Sequence, residues 1–251
     1  MTDSTGHRDE VVAPSAHTRD DADHQGHDHE GHDHEGHDEP HGGDADDTAL
    51  EFWERLYSEQ GQRWSGSPNQ RLVEIVTGLA PGRALDLGSG EGGDAVWLAQ
   101  QGWVVTAVDV SPTALARLIT RADEEGVADR IETVAIDLAA GFPEVPEGGW
   151  DLVSAQFFQS TIELPRTDIL RRGVAATAHG GLFLLVEHGE APAGSPHHDV
   201  VFPTVDETLA ELALPPGEWT PVRVERSTRH GRGPDGDTHE LVDNIIAVKR
   251  A

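Results

Sequence analysis

The amino-acid sequence predicts an α/β protein built on a doubly wound, mostly parallel sheet. After residue 82, short apolar runs typical of strands alternate with amphipathic stretches typical of helices. The run ALDLGSGEGG places a glycine-rich loop directly behind the first of these strands. Alternating strand and helix units give a parallel sheet with helices on both faces, and ligands of such sheets bind beyond the carboxyl ends of the strands.

The composition of the chain changes near Thr48. Residues 1–47 contain no aromatic residue and include the repeat GHDHEGHDHEGHDEPHGG. Such a segment cannot bury enough apolar surface to offset the entropy lost on ordering. We therefore predict a disordered tail rich in His, Asp and Glu over residues 1–47 and one folded domain over residues 48–251.

Charge and cysteine content exclude several classes of function. The chain has a formal net charge of −28 and a pI near 4.6, whereas binding to nucleic-acid phosphates needs a basic face. It has no cysteine, so disulfides, zinc–thiolate sites and thiol nucleophiles are excluded. No apolar leader or membrane-spanning segment is visible, which predicts a cytoplasmic protein without a membrane partner. The oligomeric state, monomer or dimer, is left open.

Two helices are predicted before the first strand. Thr48 caps the first helix. The apolar positions of the first helix are Leu50, Trp53, Leu56 and Tyr57. The apolar positions of the second are Leu72, Ile75, Val76 and Leu79.

The alternating region follows in chain order. Strands are predicted at residues 83–87, 103–108, 131–136, 150–158 and 181–187, and helices at residues 92–101, 111–124, 165–178 and 204–212. Gly102 closes one helix, and Ser111 caps the next with Pro112 at its first position. The last two apolar runs flank the turn GRGPDGD, which is typical of a β-hairpin. This antiparallel hairpin is expected to end the sheet.

The glycine loop indicates a nucleotide site. Gly88, Gly90 and Gly93 have the GxGxxG spacing of a dinucleotide fingerprint. The apolar run before the loop ends in Asp86, whose carboxylate disfavours a nearby diphosphate and favours an ammonium or sulfonium group. Asp109 ends the next strand, where it is positioned to accept hydrogen bonds from ribose hydroxyls. That position suits NAD and other adenosine ligands equally.

The stretch LDLGSGEGGDAVWLAQQGWVVTAVDVS resembles motifs I and II of the class I S-adenosylmethionine-dependent methyltransferases. The resemblance covers roughly residues 50–250. It implies a Rossmann-like, seven-stranded sheet whose last strand is antiparallel. The segment FWERLYSEQGQRWSGSPN is similar to the lid of small-molecule members of the tellurite-resistance and thiopurine-type branch. Related members that detoxify arsenic rely on cysteines, so that activity is not expected here.

The resemblance assigns roles around S-adenosylmethionine residue by residue. The residues expected around the methionine moiety are Asp86, Gly88, Ser89 and Gly90. Asp109 is expected to hold the ribose. The residues expected beside the adenine are Val110, Asp137 and Leu138, with Asp137 facing the exocyclic amine. The residues expected beneath the reacting methyl group are Gln156 and Phe157.

The acceptor pocket is expected to lie under the lid. The aromatic residues expected to line it are Trp53, Tyr57, Trp64 and Phe158; packing of these rings between helix and sheet is the alternative. His188 follows a strand at its carboxyl end, where its neutral imidazole suits a general base at pH 7. A hydrogen-bonded loop histidine is the alternative there. We place His197 and His198 on a solvated loop.

The sequence leaves the methyl acceptor open among small molecules with a thiol, chalcogen, phenol or amine group. A thiolate or chalcogen anion needs no base, whereas a phenol, amine or alcohol needs one, for which His188 is the candidate. An NAD-dependent oxidoreductase is an alternative that keeps the same glycine loop.

A second alternative is a metal-binding or metal-buffering protein that acts through the tail. The candidate ligands are His27, His29, His32, His34 and His37. Imidazoles interleaved with carboxylates favour zinc, nickel, copper or cobalt. A solvated acidic tail that binds such ions only adventitiously is the simpler interpretation of the same residues.

Overall fold

The computed structural model describes residues 48–59, 61–62, 65–160, 162–191, 201–232 and 238–251. The helices are α1 (Ala49–Glu59), α2 (Gln70–Val76), α3 (Gly93–Gln100), α4 (Pro112–Glu124), α5 (Arg166–Ala176) and α6 (Val205–Glu211). The strands are β1 (Arg83–Leu87), β2 (Val104–Asp109), β3 (Ile131–Ala135), β4 (Trp150–Gln156), β5 (Thr177–His188), β6 (Trp219–Arg232) and β7 (Thr238–Arg250). Across these described ranges, no helix is both long and apolar enough to cross a bilayer.

The strands form one seven-stranded sheet in the order β3-β2-β1-β4-β5-β7-β6. Parallel pairing runs from β3 through β5, and β7 is antiparallel to both of its neighbours. The predicted doubly wound sheet with an antiparallel last strand is therefore confirmed. The chain crosses from the β3 edge back to β4, so the strand order reverses between β1 and β4. Ligands of open α/β sheets bind at such a switch point.

Each face of the sheet has its own apolar core, because alternate residues of a strand point to opposite faces. Helices α2, α3 and α4 cover one face, where they pack with Ala84 of β1. Helix α5 covers the other face, where Leu85 and Leu87 of β1 are fully buried. Strand β1 is thus buried on both sides, as expected for a central strand of a parallel sheet.

Local signals explain where the helices begin. The Ser111 hydroxyl accepts a hydrogen bond from the amide of Ala114, and Pro112 is the first residue of α4. Thr204 and Glu207 form a capping box at the start of α6. The predicted apolar faces of the first two helices are partly wrong. Phe52 is buried in α1 whereas Leu50 is exposed, and Leu79 lies beyond the end of α2 and is exposed.

Two buried polar clusters join the end of the sheet to the helices. In the Asp243 cluster, the Asp243 carboxylate of β7 accepts hydrogen bonds from Arg71 Nε of α2 at 3.1 Å and from Arg229 Nε of β6 at 3.0 Å. In the Glu187 cluster, Glu187 pairs with Arg166 and accepts bonds from Thr208 Oγ1 and Asn244 Nδ2. Removing one member of such a cluster leaves a buried charge uncompensated, which destabilises by about 3–5 kcal/mol.

Candidate active site

A cavity of about 240 Å³ lies at the carboxyl ends of β1, β2 and β4. The glycine loop, helix α1 and the segment that follows β4 form its walls. The residues that line it are Ala49, Trp53, Tyr57, Ser65, Gly66, Ser67, Asn69, Gly88, Ser89, Gly90, Glu91, Gly92, Gly93, Asp94, Asp109, Val110, Ile136, Asp137, Leu138, Gln156, Phe157, Phe158, Gln159, Ser160, Leu164 and His188. The cavity therefore brings together most of the residues predicted for the cofactor and the acceptor.

The glycine loop needs glycine for its backbone angles and for space. Gly88 has a φ of 72°, and a Cβ on it would come within 2.7 Å of the Phe158 ring. The amides of Gly88 and Ser89 donate to the carbonyl of Val108 at 2.8 and 2.9 Å, which ties the loop to β2. The loop is thus held in one conformation with its backbone facing the cavity, where it can approach a ligand closely.

Asp109, the residue predicted to hold a ribose, lies in the lining of the cavity. Its carboxylate accepts hydrogen bonds from the amides of Gly90 and Ser111, both at 2.9 Å. Burial raises the pKa of Asp109, and these amide hydrogen bonds partly oppose the rise. A carboxylate has about four lone-pair positions, so both oxygens keep acceptor capacity for hydroxyl groups. Asp109 can therefore accept further hydrogen bonds from a ligand, and its contact with a ribose stays a prediction.

Asp86 lies beneath the glycine loop and is not part of the cavity lining. Only 2% of its surface is exposed, and within the described residues its Oδ2 atom has no hydrogen-bond partner. Burial, followed by the charges of Asp94 and Asp109, raises the pKa of Asp86 well above its usual range. Asp86, which was predicted beside the methionine moiety, therefore does not form a wall of the cavity.

The assigned adenine residues lie side by side after β2 and β3. Val110, Asp137 and Leu138 line the cavity together with Ile136, which the sequence did not single out. The Asp137 carboxylate accepts a hydrogen bond from the amide of Ala139 at 2.8 Å, which stabilises the turn that contains Asp137. The site thus has an apolar slot with one carboxylate at its edge.

The segment after β4 forms the opposite wall. Gln156 donates through Nε2 to Ser154 Oγ at 3.0 Å, whereas its buried Oε1 has no partner within the described part of the chain. Phe157 has a φ of 49°, a left-handed conformation that is strained for a bulky residue. Strain of this kind persists where surrounding contacts impose it, and here it turns the Phe157 ring toward the cavity.

His188 is placed by contacts on several sides. Its ring stacks on Phe157, with centroids 4.4 Å apart and planes at 28°. Its backbone amide donates to Gln159 Oε1 at 2.8 Å. The Arg229 guanidinium lies 5.6 Å from the centroid of the Phe157 ring. Gln159 and Arg229 were not predicted, because only the folded chain brings them to this wall.

Helix α1 is fastened over the cavity. Trp53 and Tyr57, which were predicted for the acceptor pocket, line the cavity. The Glu54 carboxylate accepts hydrogen bonds from the hydroxyls of Ser111 and Thr113, and Arg117 donates to the carbonyl of Tyr57 at 2.7 Å. Burial opposes ionisation of Glu54, but these hydroxyl hydrogen bonds together lower its pKa. The lid is therefore held against the beginning of α4.

Two polar residues of the cavity lining, Asn69 and Asp94, were not predicted from the sequence. The amide of Asn69 donates to Asp94 Oδ1 at 2.5 Å, which joins the turn before α2 to the first turn of α3. The turn sequence WSGSPN was the signal available for this contact.

Several predicted residues lie outside the described part of the chain. They are Trp64, His197, His198 and the tail histidines His27, His29, His32, His34 and His37. In the residues that are described, no group of three or more His, Asp or Glu side chains is arranged to hold a metal ion.

Sequence comparison identifies the central part of the chain. Residues 84–181 match the family described as a methyltransferase domain. Over 69 residues the chain is 40% identical to hemagglutinin 1 of Eikenella corrodens, and over 116 residues it is 33% identical to ribosomal RNA small subunit methyltransferase C of Alcanivorax borkumensis. These matches cover 28% and 45% of this chain, and 23% and 34% of the two relatives.

Solved structures show the same fold at low sequence identity. One, from work on the conversion of a disulfide bond into a thioacetal group during echinomycin biosynthesis, is 20% identical with a TM-score of 0.60, and the match covers 80% of this chain and 92% of that one. TehB from Haemophilus influenzae is 18% identical with a TM-score of 0.58, over 79% and 67% of the two chains. The [4+2]-cyclase SpnF is 16% identical with a TM-score of 0.53, over 86% of each chain.

The family match over residues 84–181 is consistent with the strand order, the glycine loop and the two acids beside that loop. Residues 84–181 match a methyltransferase domain, and the described chain has the Rossmann-like, seven-stranded fold of the solved structures named above.

Proposed function

We propose that the chain transfers a methyl group from S-adenosylmethionine to a small-molecule acceptor. The observation that carries this proposal is one continuous cavity with two chemically different ends. One end contains Asp109 and the apolar slot at Leu138, which suits an adenosine. The other contains Phe157 and His188, which suits an acceptor. Because one fold supports many reactions, the proposal rests on these site residues and not on the fold.

The residues present fit the proposed cofactor. Ser89 Oγ and Gln156 Oε1 are buried polar atoms of the lining that lack a hydrogen-bond partner within the described residues. Buried polar atoms of this kind are normally satisfied, so we expect them to meet polar groups of a ligand. The acids Asp86, Asp94 and Asp109 favour a ligand with positive charge. When bound, S-adenosylmethionine supplies an electrophilic methyl group on a sulfonium.

The contribution of the protein is to orient the reactants and to exclude water. We expect Asp109 to hold the ribose and the glycine loop to hold the methionine backbone. Trp53 and Tyr57 of the lid and Phe157 opposite them enclose the acceptor. Correct placement of the two reactants contributes up to about 7–11 kcal/mol to the barrier reduction in well-oriented systems.

The lining favours an uncharged acceptor with an apolar body. The acceptor end carries the rings of Phe157 and Phe158 and the side chain of Leu164. Along the described lining, the acidic residues are Glu91, Asp94, Asp109 and Asp137, and no Lys or Arg accompanies them. We therefore propose a thiol, chalcogen, phenol or amine compound that enters neutral. His188 would accept the proton of a phenol or amine.

Calorimetric titration with S-adenosylmethionine, its demethylated product and NADH tests the cofactor assignment. We expect the first two to bind and NADH not to bind. Incubation of the protein with methyl-labelled S-adenosylmethionine and a panel of thiol, selenite, tellurite, phenol and amine acceptors then tests the reaction. Binding of NADH without binding of S-adenosylmethionine would replace the proposal with the oxidoreductase alternative.

A second proposal concerns the tail. The two His-Asp-His-Glu runs at residues 27–30 and 32–35 each pair two imidazoles at a spacing that suits chelation of one ion. We propose metal binding there as a function separate from methyl transfer.

A further inference from the structure

Asp86 is a buried carboxyl group, and the charges that act on it from the described residues are those of other acids. It belongs to β1, and its register neighbours are Ala107 on β2 and Ser154 on β4. It is 2% exposed, and its Oδ2 atom has no hydrogen-bond partner within the described residues. An ionised carboxylate in such surroundings is costly unless it is paired, so the group takes up a proton instead.

The charged groups around Asp86 strengthen this tendency. Asp94 on α3 and Asp109 on β2 are the acids that act on it. Glu54 of the lid acts in turn on Asp109. Glu91 of the glycine loop is paired with Arg117 at 2.6 Å, so that cation is already neutralised. For Asp86, a positive charge that arrives with the ligand would therefore supply a counter-charge.

We propose that Asp86 is protonated in the ligand-free site and ionises when a positively charged cofactor binds, so that Asp86 determines the preference for S-adenosylmethionine over its demethylated product. This inference rests on the proposed function, because it concerns the cofactor of that same site. The binding step balances as protonated protein plus cationic cofactor giving the complex plus one proton released to the buffer.

The discrimination arises from one unit of charge. S-adenosylmethionine carries a sulfonium that its demethylated product lacks, while both carry the same ammonium and carboxylate groups. The ionised Asp86 is therefore stabilised more by S-adenosylmethionine. After methyl transfer the sulfonium charge is gone, so Asp86 takes up a proton again and the product is held less tightly.

Calorimetry of the full chain in buffers with different ionisation enthalpies measures the proton release. The ligands are S-adenosylmethionine, its demethylated product, and sinefungin, which carries an amine in place of the sulfonium. We expect S-adenosylmethionine and sinefungin to release more protons than the demethylated product. The affinity for S-adenosylmethionine should rise with pH by up to about tenfold per pH unit while Asp86 titrates.

The variant Asp86→Asn keeps the shape of the side chain but cannot ionise. We expect it to lose the extra proton release and to bind S-adenosylmethionine and its product with more similar affinities. Asp123→Asn, which alters an exposed residue of α4, is the matched control and should behave as the wild type. Ionisation of the ligands themselves contributes equally to all three proteins and cancels in the comparison.

The outcomes separate this inference from the proposed function. No binding of S-adenosylmethionine by the wild-type chain contradicts the proposed function. Binding with equal proton release for S-adenosylmethionine and its product overturns the role of Asp86 alone. Extra proton release that persists in Asp86→Asn also overturns it and assigns the proton to Asp94 or Asp109. If Asp86→Asn does not fold, the wild-type comparison of the three ligands at about pH 6, where their ammonium groups stay protonated, still decides.

Discussion

At the scale of single residues, Asp109 tests the cofactor site most directly. Asp109→Ala removes the acceptor proposed for the ribose hydroxyls, and charge-assisted hydrogen bonds contribute roughly 1.5–3 kcal/mol each. We expect the affinity for S-adenosylmethionine in calorimetry to fall at least about tenfold. The amides of Gly90 and Ser111 also lose their acceptor, so a modest loss of stability should accompany this effect. Asp129→Ala, at an exposed position before β3, is the control; equal affinities of a folded Asp109→Ala and the wild type would refute the assignment.

His188 tests whether the acceptor needs a base. We expect His188→Gln to lower kcat for a phenol or amine acceptor by about 100-fold or more, because general-base catalysis typically contributes that much. Turnover of a thiol acceptor, which needs no base from the protein, should change little. Affinity for S-adenosylmethionine, measured in parallel, should be retained. A phenol or amine acceptor that reacts at the normal rate in His188→Gln would leave the imidazole with only its packing role against Phe157.

Asp86 also makes stability depend on pH. Burial raises its pKa in the folded state above the value in the unfolded chain. A carboxyl group of this kind stabilises the folded state below its unfolded pKa, and that contribution is lost as pH rises through the folded pKa. We expect Asp86→Asn to become more stable relative to the wild type as the pH rises from about 5 to about 8. Urea unfolding at the two pH values measures this difference, and a difference that shrinks with rising pH would contradict the sign.

The residues next to the glycine motif were predictable because local sequence determines their positions. Asp109 ends a strand and Gly88 begins a loop. Both lie at the carboxyl ends of the parallel strands, where ligands of such sheets bind. Gln159 and Arg229 were not predictable. They reach the same wall from segments about 70 residues apart, and no periodicity in the sequence links them.

At the scale of elements, the fastening of α1 to α4 is expected to govern turnover. Glu54→Ala removes the acceptor for the hydroxyls of Ser111 and Thr113. A loosened lid positions Trp53 and Tyr57 less well, so we expect kcat to fall by about 10- to 100-fold. Glu59→Ala alters an exposed residue of the same helix and should leave turnover unchanged. A normal kcat in Glu54→Ala would show that these contacts of α1 with α4 do not govern turnover.

The elements of the sheet were easier to predict than the faces of its first helices. Strand β1 was predicted with its exact limits, since an apolar run buried on both faces ends at a glycine loop. For helix α1, the prediction placed Leu50 on the buried face and left Phe52 out of it, whereas the structure has the reverse. Its sequence ALEFWERLYSE offers more large apolar side chains than one face can bury, so packing against α4 decides that Phe52 points inward and Leu50 outward.

At the scale of the whole molecule, the tail and the domain should be separable. Deletion of residues 1–47 leaves all described strands and lining residues in place, so we expect unchanged kcat and KM in metal-free buffer. The full-length chain should bind nickel or zinc in calorimetry, and binding should weaken below about pH 6, because ligand imidazoles must be neutral. Loss of turnover on deletion would show that the tail contributes to the active site.

The position of β7 inside the sheet has a consequence for how the chain matures on the ribosome. Strand β6 pairs only with β7 among the described strands, and β5 pairs with β7 on its other side. The Asp243 and Glu187 clusters likewise cannot form before β7 is available, because β7 supplies Asp243 and Asn244. Until residues 238–250 have left the exit tunnel, Arg71 and Glu187 lack these partners and an edge of β5 stays open. Nascent chains of this protein should therefore expose an unpaired, aggregation-prone edge of β5 late in synthesis. Chaperones that bind such edges should matter most at that stage.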